Sequence, residues 1–127
     1  MKLKHAFAAL AALFASSLFA QGTAEQTTPA EFGKSPDQAQ YTILDVRTDK
    51  EWAAGHLRNA VHIDWYAADF AAQVAKLPKD KPVLVYCEAG GRSAKAQRKM
   101  TELGFKRVVN LTGGFKTWKA QGNAVVQ

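Results

Sequence analysis

Between Tyr41 and Ala120 the chain alternates short aliphatic runs with stretches whose apolar residues recur at helical spacing. Tyr41 to Val46 reads as a strand, Ala60 to Ile63 as a shorter one, and Arg107 to Leu111 as the last. Val83 to Tyr86 is continuously apolar, as expected of a strand buried on both faces. Helices fall between the strands. Asp49 is placed to cap a short one over Lys50 to Ala54, which Gly55 ends. Asp64 to Lys76, with Trp65, Phe70 and Val74 and then Leu77 on one face, predicts a longer helix stopped by Pro78. Ala96, Met100 and Leu103 line the next helix, ended by Gly104, and Phe115 to Ala120 makes a closing helix. Strands alternating with helices predict one α/β domain, a mostly parallel central sheet with helices on both faces.

The flanks are different in character. Lys2 and Lys4 precede an apolar stretch from Ala6 to Ala20, the layout of a secretory signal peptide over residues 1–24. Cleavage after Ala20 leaves bulky Leu18 at the third position back, whereas cleavage after Ala24 follows a small-x-small pattern with Gly22. Residues 25–40 are polar and read as an arm, in which Thr28 and Pro29 can open one helical turn. Residues 123–127 form a tail. The formal charge is +6, and setting aside Lys2 and Lys4 lowers it by two to +4. The remaining basic residues are scattered, which predicts neither nucleic-acid binding nor membrane insertion after processing, and a monomer is expected. A mild positive balance suits small anionic substrates, or simply a solubilising surface.

Cys87 is the one cysteine of the chain, so it has no internal disulfide partner, although export implies an oxidising compartment. It follows the strand Val83 to Tyr86 and precedes Glu88, Ala89, Gly90, Gly91, Arg92 and Ser93, a tight loop leading into a helix. In parallel sheets, ligands sit beyond the carboxyl ends of the strands, and Cys87 and Asp45 both fall at such ends. A thiol facing backbone N–H groups and a helix start has a lowered pKa, and a thiolate is the form that attacks or carries sulfur.

Ile43-Leu44-Asp45-Val46-Arg47, Glu51-Trp52 and Gly55-His56-Leu57, with Ala60 and Ile63, resemble the amino-terminal signature of rhodanese-like sulfurtransferases. Val83 to Arg92, Gly104-Phe105, Val108, Leu111, Gly113-Gly114 and Trp118 resemble the carboxyl-terminal signature, so the resemblance spans roughly residues 28–122. With its leader, the chain looks most like the small, single-domain periplasmic members. The resemblance implies a thiosulfate sulfurtransferase in which Cys87 takes a sulfane sulfur from a small anionic donor as a persulfide and passes it to cyanide or another thiophilic acceptor. Glu88, Ala89, Gly90, Gly91 and Arg92 would surround the substrate, with Arg92 on the donor's oxyanion and Ser93 capping the helix. No metal or organic cofactor is implied.

Asp45 and Arg47 read as a structural pair steadying the strand end or as direct participants, with Glu51 a further member of their network. His56 reads as support for the loop through hydrogen bonds or as catalytic. His62 has no neighbour at metal-ligand spacing. Trp52, Trp65 and Trp118 read as packing, and Gly113-Gly114 as a tight turn. Asn59 stands where the family commonly has glycine, a position Asn tolerates in left-handed geometry. Glu88 sets a negative charge beside the sulfur, which Arg92 would have to offset. Two other functions stay open. Phosphatases and arsenate reductases of this fold have a loop one residue longer than the four residues here between Cys87 and Arg92. A sulfur carrier or interaction module would keep the cysteine without turning over alone.

Overall fold

The computed structural model describes residues 24–127, so the predicted leader lies outside the described residues except for Ala24. Five strands, β1 (Glu25–Thr27), β2 (Thr42–Asp45), β3 (Val61–His62), β4 (Val83–Tyr86) and β5 (Val108–Leu111), form one parallel sheet in the order β1-β5-β4-β2-β3. The helices are α1 (Pro29–Gly33), α2 (Asp49–Ala53), α3 (Phe70–Val74), α4 (Gly91–Glu102) and α5 (Gly114–Ala120).

Strand alternation divides the core cleanly. Val83, Val85 and Cys87 point to one face with Phe70 and Val74 of α3 and Ala96 and Met100 of α4. Leu84 and Tyr86 point to the other, against Phe32 of α1 and Phe115 and Trp118 of α5. The predicted α/β architecture with both faces covered is therefore present, and it puts the sulfur on the face that α4 covers.

Several local expectations change. The arm supplies β1, whose register sets Gln26 beside Asn110, and Gln97 Nε2 donates to Glu25 O at 2.7 Å. Thr48, not Asp49, caps α2. Its hydroxyl accepts from Glu51 N–H at 3.3 Å, and Glu51 Oε1 accepts from Thr48 N–H at 3.0 Å, a reciprocal capping box.

The helix expected from Asp64 forms over Phe70–Val74 alone. Ile63 and Trp65 instead donate their N–H groups to Asp45 O and Val46 O, continuing along β2. Asp64 Oδ1 then accepts from Tyr66 N–H at 2.9 Å, a local turn that competes with helix. Asn59 has φ of 64°, the left-handed conformation its side chain tolerates. The tail is tied down, since His56 and Val126 exchange backbone bonds and Trp118 Nε1 donates to Ala124 O at 2.9 Å.

Candidate active site

Cys87 leaves the end of β4 and is 2% exposed. The chain then turns so tightly that Gly90, at φ of 119°, becomes the residue before α4. Gly90 N–H donates to Cys87 Sγ at 3.0 Å, and the Ser93 hydroxyl donates to it at 3.4 Å. Burial pushes the thiol pKa up. The Ser93 hydroxyl and the amides of Ser93, Gly90 and Ala89 outweigh that, and the thiol lies below its ordinary value. Positive φ at Gly90 is what lets those amides turn inward, and an L side chain there would be strained.

A second glycine fixes the loop from behind. Gly114 has φ of 60°, and a Cβ there would lie 2.5 Å from Cys87 O. That close approach lets Phe115 N–H donate to Cys87 O at 2.9 Å and Lys116 N–H to Glu88 O at 3.1 Å. The turn expected from Gly113-Gly114 thus fastens α5 to the thiol loop.

Two ion pairs flank the loop. Arg47, 2% exposed, donates through Nε and Nη2 to the fully buried Asp45 carboxylate, at 2.7 Å for the shortest contact, and through Nη2 to Gly55 O at 2.6 Å. Tyr86 Oη donates to Asp45 Oδ2 at 2.6 Å and accepts from Leu57 N–H at 3.1 Å. Burial, with the Asp45 charge, pushes the Tyr86 hydroxyl far up, so it stays a donor. Arg92 lies at the start of α4, with both terminal nitrogens on Glu51 at 2.7 and 2.9 Å. That pairing holds the Glu51 carboxyl down at about 2.

The model of the rhodanese-like domain matches residues 28–121. The chain belongs to the rhodanese-like family. Among similar proteins, the thiosulfate sulfurtransferase GlpE of Coxiella burnetii is 42% identical over 78 residues, 61% of this chain and 71% of that protein. A sulfurtransferase of Allochromatium vinosum is 31% identical over 90 residues, 71% of this chain and 82% of its own length. The crystal structure of a rhodanese-related protein from Thermoplasma volcanium superposes with a TM-score of 0.72 at 29% identity, over 80% of this chain and 97% of that one.

Within this rhodanese-like domain, the loop from Cys87 to Arg92, Ser93 and the Asp45–Arg47 pair come together as the sequence suggests, but several roles shift. Ser93 is the third residue of α4, because Gly90 already occupies the cap position, and its hydroxyl faces the sulfur. The Arg92 fork is occupied by Glu51, which the sequence grouped with Arg47. Arg47, not Arg92, meets Glu88, at 3.3 Å. His56 does not reach the thiol loop through a hydrogen bond among the described residues. Its ring stacks on Trp52 at 3.4 Å, with Nδ1 3.2 Å from Trp52 O. His62 stacks on the same indole at 4.9 Å, and its Nε2 lies 2.6 Å from Arg47 O.

Two contributors went unread in the sequence. Thr48-x-x-Glu51 is a capping-box signal that would have separated Glu51 from Arg47. Tyr66, 69% exposed, stands 6.0 Å from the Arg92 guanidinium, and no local pattern marks it.

Proposed function

We propose that this protein is a sulfurtransferase that carries a sulfane sulfur on Cys87 as a persulfide. The observation that carries the reading is the nest of donors around Cys87 Sγ, with Gly90 N–H at 3.0 Å and the Ser93 hydroxyl at 3.4 Å. Those donors stabilise a thiolate, and they equally suit the terminal sulfur of a persulfide. The sulfurtransferase names of its relatives support the same chemistry.

In the first half-reaction the Cys87 thiolate attacks the outer sulfur of thiosulfate or a similar donor, and sulfite leaves with the bonding pair. In the second, cyanide or another thiophilic acceptor attacks the outer persulfide sulfur, and Cys87 leaves as thiolate. The four residues between Cys87 and Arg92, one fewer than in the phosphatases and arsenate reductases of this fold, make a tighter cradle that favours a single sulfur at the thiol over a bound tetrahedral oxyanion. The same reading places the processed protein in the periplasm as a monomer, following the leader expected over residues 1–24.

Intact-protein mass spectrometry tests it. Thiosulfate should add the mass of one sulfur atom and cyanide should remove it, while Cys87→Ser should take up nothing. Equal thiosulfate-to-cyanide turnover by wild type and Cys87→Ser would overturn the proposal.

A further inference from the structure

The basic residues that stand scattered along the sequence are partly gathered by the fold. The segment after α3 leads into β4, and the segment after α4 leads into β5. Lys106 N–H donates to Lys79 O at 3.0 Å and Val83 N–H to Arg107 O at 3.0 Å, so the two segments lie side by side at the amino ends of the strands. Lys76, Lys79, Lys81 and Lys106 are all exposed there. Arg98, on α4, borders the same cavity as Lys106. Among the described residues, none of these five cations is in an ion pair, and Arg107 is matched by Glu25. The acids beside them are Asp80 and Glu102, which leaves this pole of the molecule positive.

The thiol lies at the other end of the sheet. Cys87 follows the carboxyl end of β4, and the arginines of that rim are matched, Arg47 by Asp45 and Glu88 and Arg92 by Glu51. A contact made by the lysine pole therefore leaves the thiol rim facing away from it.

The make-up of the pole decides the kind of partner. Protein interfaces are depleted in lysine and centre on aromatic or apolar anchors. The exposed large hydrophobics, Tyr66 and Val61, lie on the thiol rim and on the edge strand β3. Lysines without an apolar anchor suit a layer of anionic headgroups, where each strengthens adsorption roughly fivefold. No described helix is long and apolar enough to cross a membrane, so this contact stays at the surface. The periplasmic location proposed above would put such a surface within reach.

We propose that the lysine pole docks this protein on an anionic phospholipid surface, with the thiol rim turned to solvent.

Cosedimentation with vesicles tests the docking. Vesicles of phosphatidylglycerol with phosphatidylethanolamine should carry down more of the protein than vesicles of phosphatidylcholine alone, and added salt should release it. Lys79→Gln with Lys106→Gln should weaken the partition roughly twentyfold. Lys116→Gln with Lys119→Gln removes the same charge from α5 and should weaken it far less. Equal losses in the two pairs would reduce the effect to net charge and overturn the pole. Sedimentation that survives both salt and the Lys79 and Lys106 substitutions would belong to an uncleaved leader and overturn it too. Binding to polyglutamate but not to the anionic vesicles would assign the pole to an acidic protein instead. On the vesicles, iodoacetamide should alkylate Cys87 as fast as in the free protein, and protection there would overturn the orientation.

Discussion

Arg92 closes on Glu51 with both terminal nitrogens, at 2.7 and 2.9 Å, and so joins the first turn of α4 to the first turn of α2 across the thiol loop. The same carboxylate completes the capping box with Thr48. One acidic side chain therefore sets the start of α2 and anchors the loop that holds the sulfur. Arg92 acts on the site through that anchor, and its charge is already matched before any anionic donor arrives.

Glu51→Gln should release the guanidinium. Stability should fall by about 1 kcal/mol, the upper end for a partly exposed pair. The KM for thiosulfate should fall severalfold as Arg92 gains a free fork, while kcat drops because the loop loses its anchor. Steady-state kinetics of Arg92→Ala in both backgrounds check this. An equal rise in thiosulfate KM with and without Glu51 would mean that Arg92 already contacts the donor in the wild type.

The pair also carries a pH signature. Glu51 is held at about 2 from an ordinary 4.5, chiefly by its bonds to Arg92. Its folded-state value is depressed, so the stabilisation is complete above about 4.5 and is lost as the pH falls through about 2. The Tm gap between wild type and Glu51→Gln should narrow across that window. A gap that stayed constant would place the effect of the substitution outside the ion pair.

Ser93→Ala removes a hydroxyl donor from Cys87 Sγ and should raise the thiol pKa toward its ordinary value. The pH profile of iodoacetamide alkylation should shift upward, and sulfur loading below that midpoint should slow. The Gly90, Ala89 and Ser93 amides remain, so the shift should be partial. An unmoved profile would show that the amides alone hold the thiolate.

The first strand bears on processing. Glu25 O accepts from Gln97 Nε2, and Glu25 to Thr27 pair with β5, so a cut inside this segment would strip an edge from the sheet. Both sequence-derived cleavage points, after Ala20 and after Ala24, leave β1 whole. If the leader proposed over residues 1–24 is removed, amino-terminal sequencing of the processed protein should find a first residue no later than Glu25. A start beyond Thr27 would contradict a structural role for β1.

The core was legible because its period was clean. Val83 to Tyr86 alternates faces, and the Ala96 and Met100 stripe matches one helix side. The thiol loop was legible because cysteine, two glycines and a following helix must fold one way. What escaped was long-range pairing. Nothing local tells Arg92 to choose Glu51, 41 residues away, over a donor anion. β1 escaped because Glu-Gln-Thr is too short and polar to signal a strand without its partner Val109 to Leu111. The helix expected from Asp64 failed because its apolar spacing was real but Ile63 and Trp65 had already given their N–H groups to β2.

Asp45 should prove the most costly supporting residue to change. Its carboxylate, fully buried, accepts from the Arg47 backbone and guanidinium and from the Tyr86 hydroxyl. Asp45→Asn removes the buried counter-charge of Arg47 and leaves one accepting oxygen where the carboxylate offered two, a loss in the class of about 3–5 kcal/mol. Tyr86→Phe keeps the ion pair but strands Leu57 N–H and one Asp45 lone pair, at about 1–3 kcal/mol. Because both act on one carboxylate, the double variant should cost less than the two losses added together. Denaturant midpoints at constant m-value measure all three. If Asp45→Asn proved no worse than Tyr86→Phe, Gly55 O and Glu88 would be enough to hold Arg47, and the pair would steady the strand end less than its geometry implies.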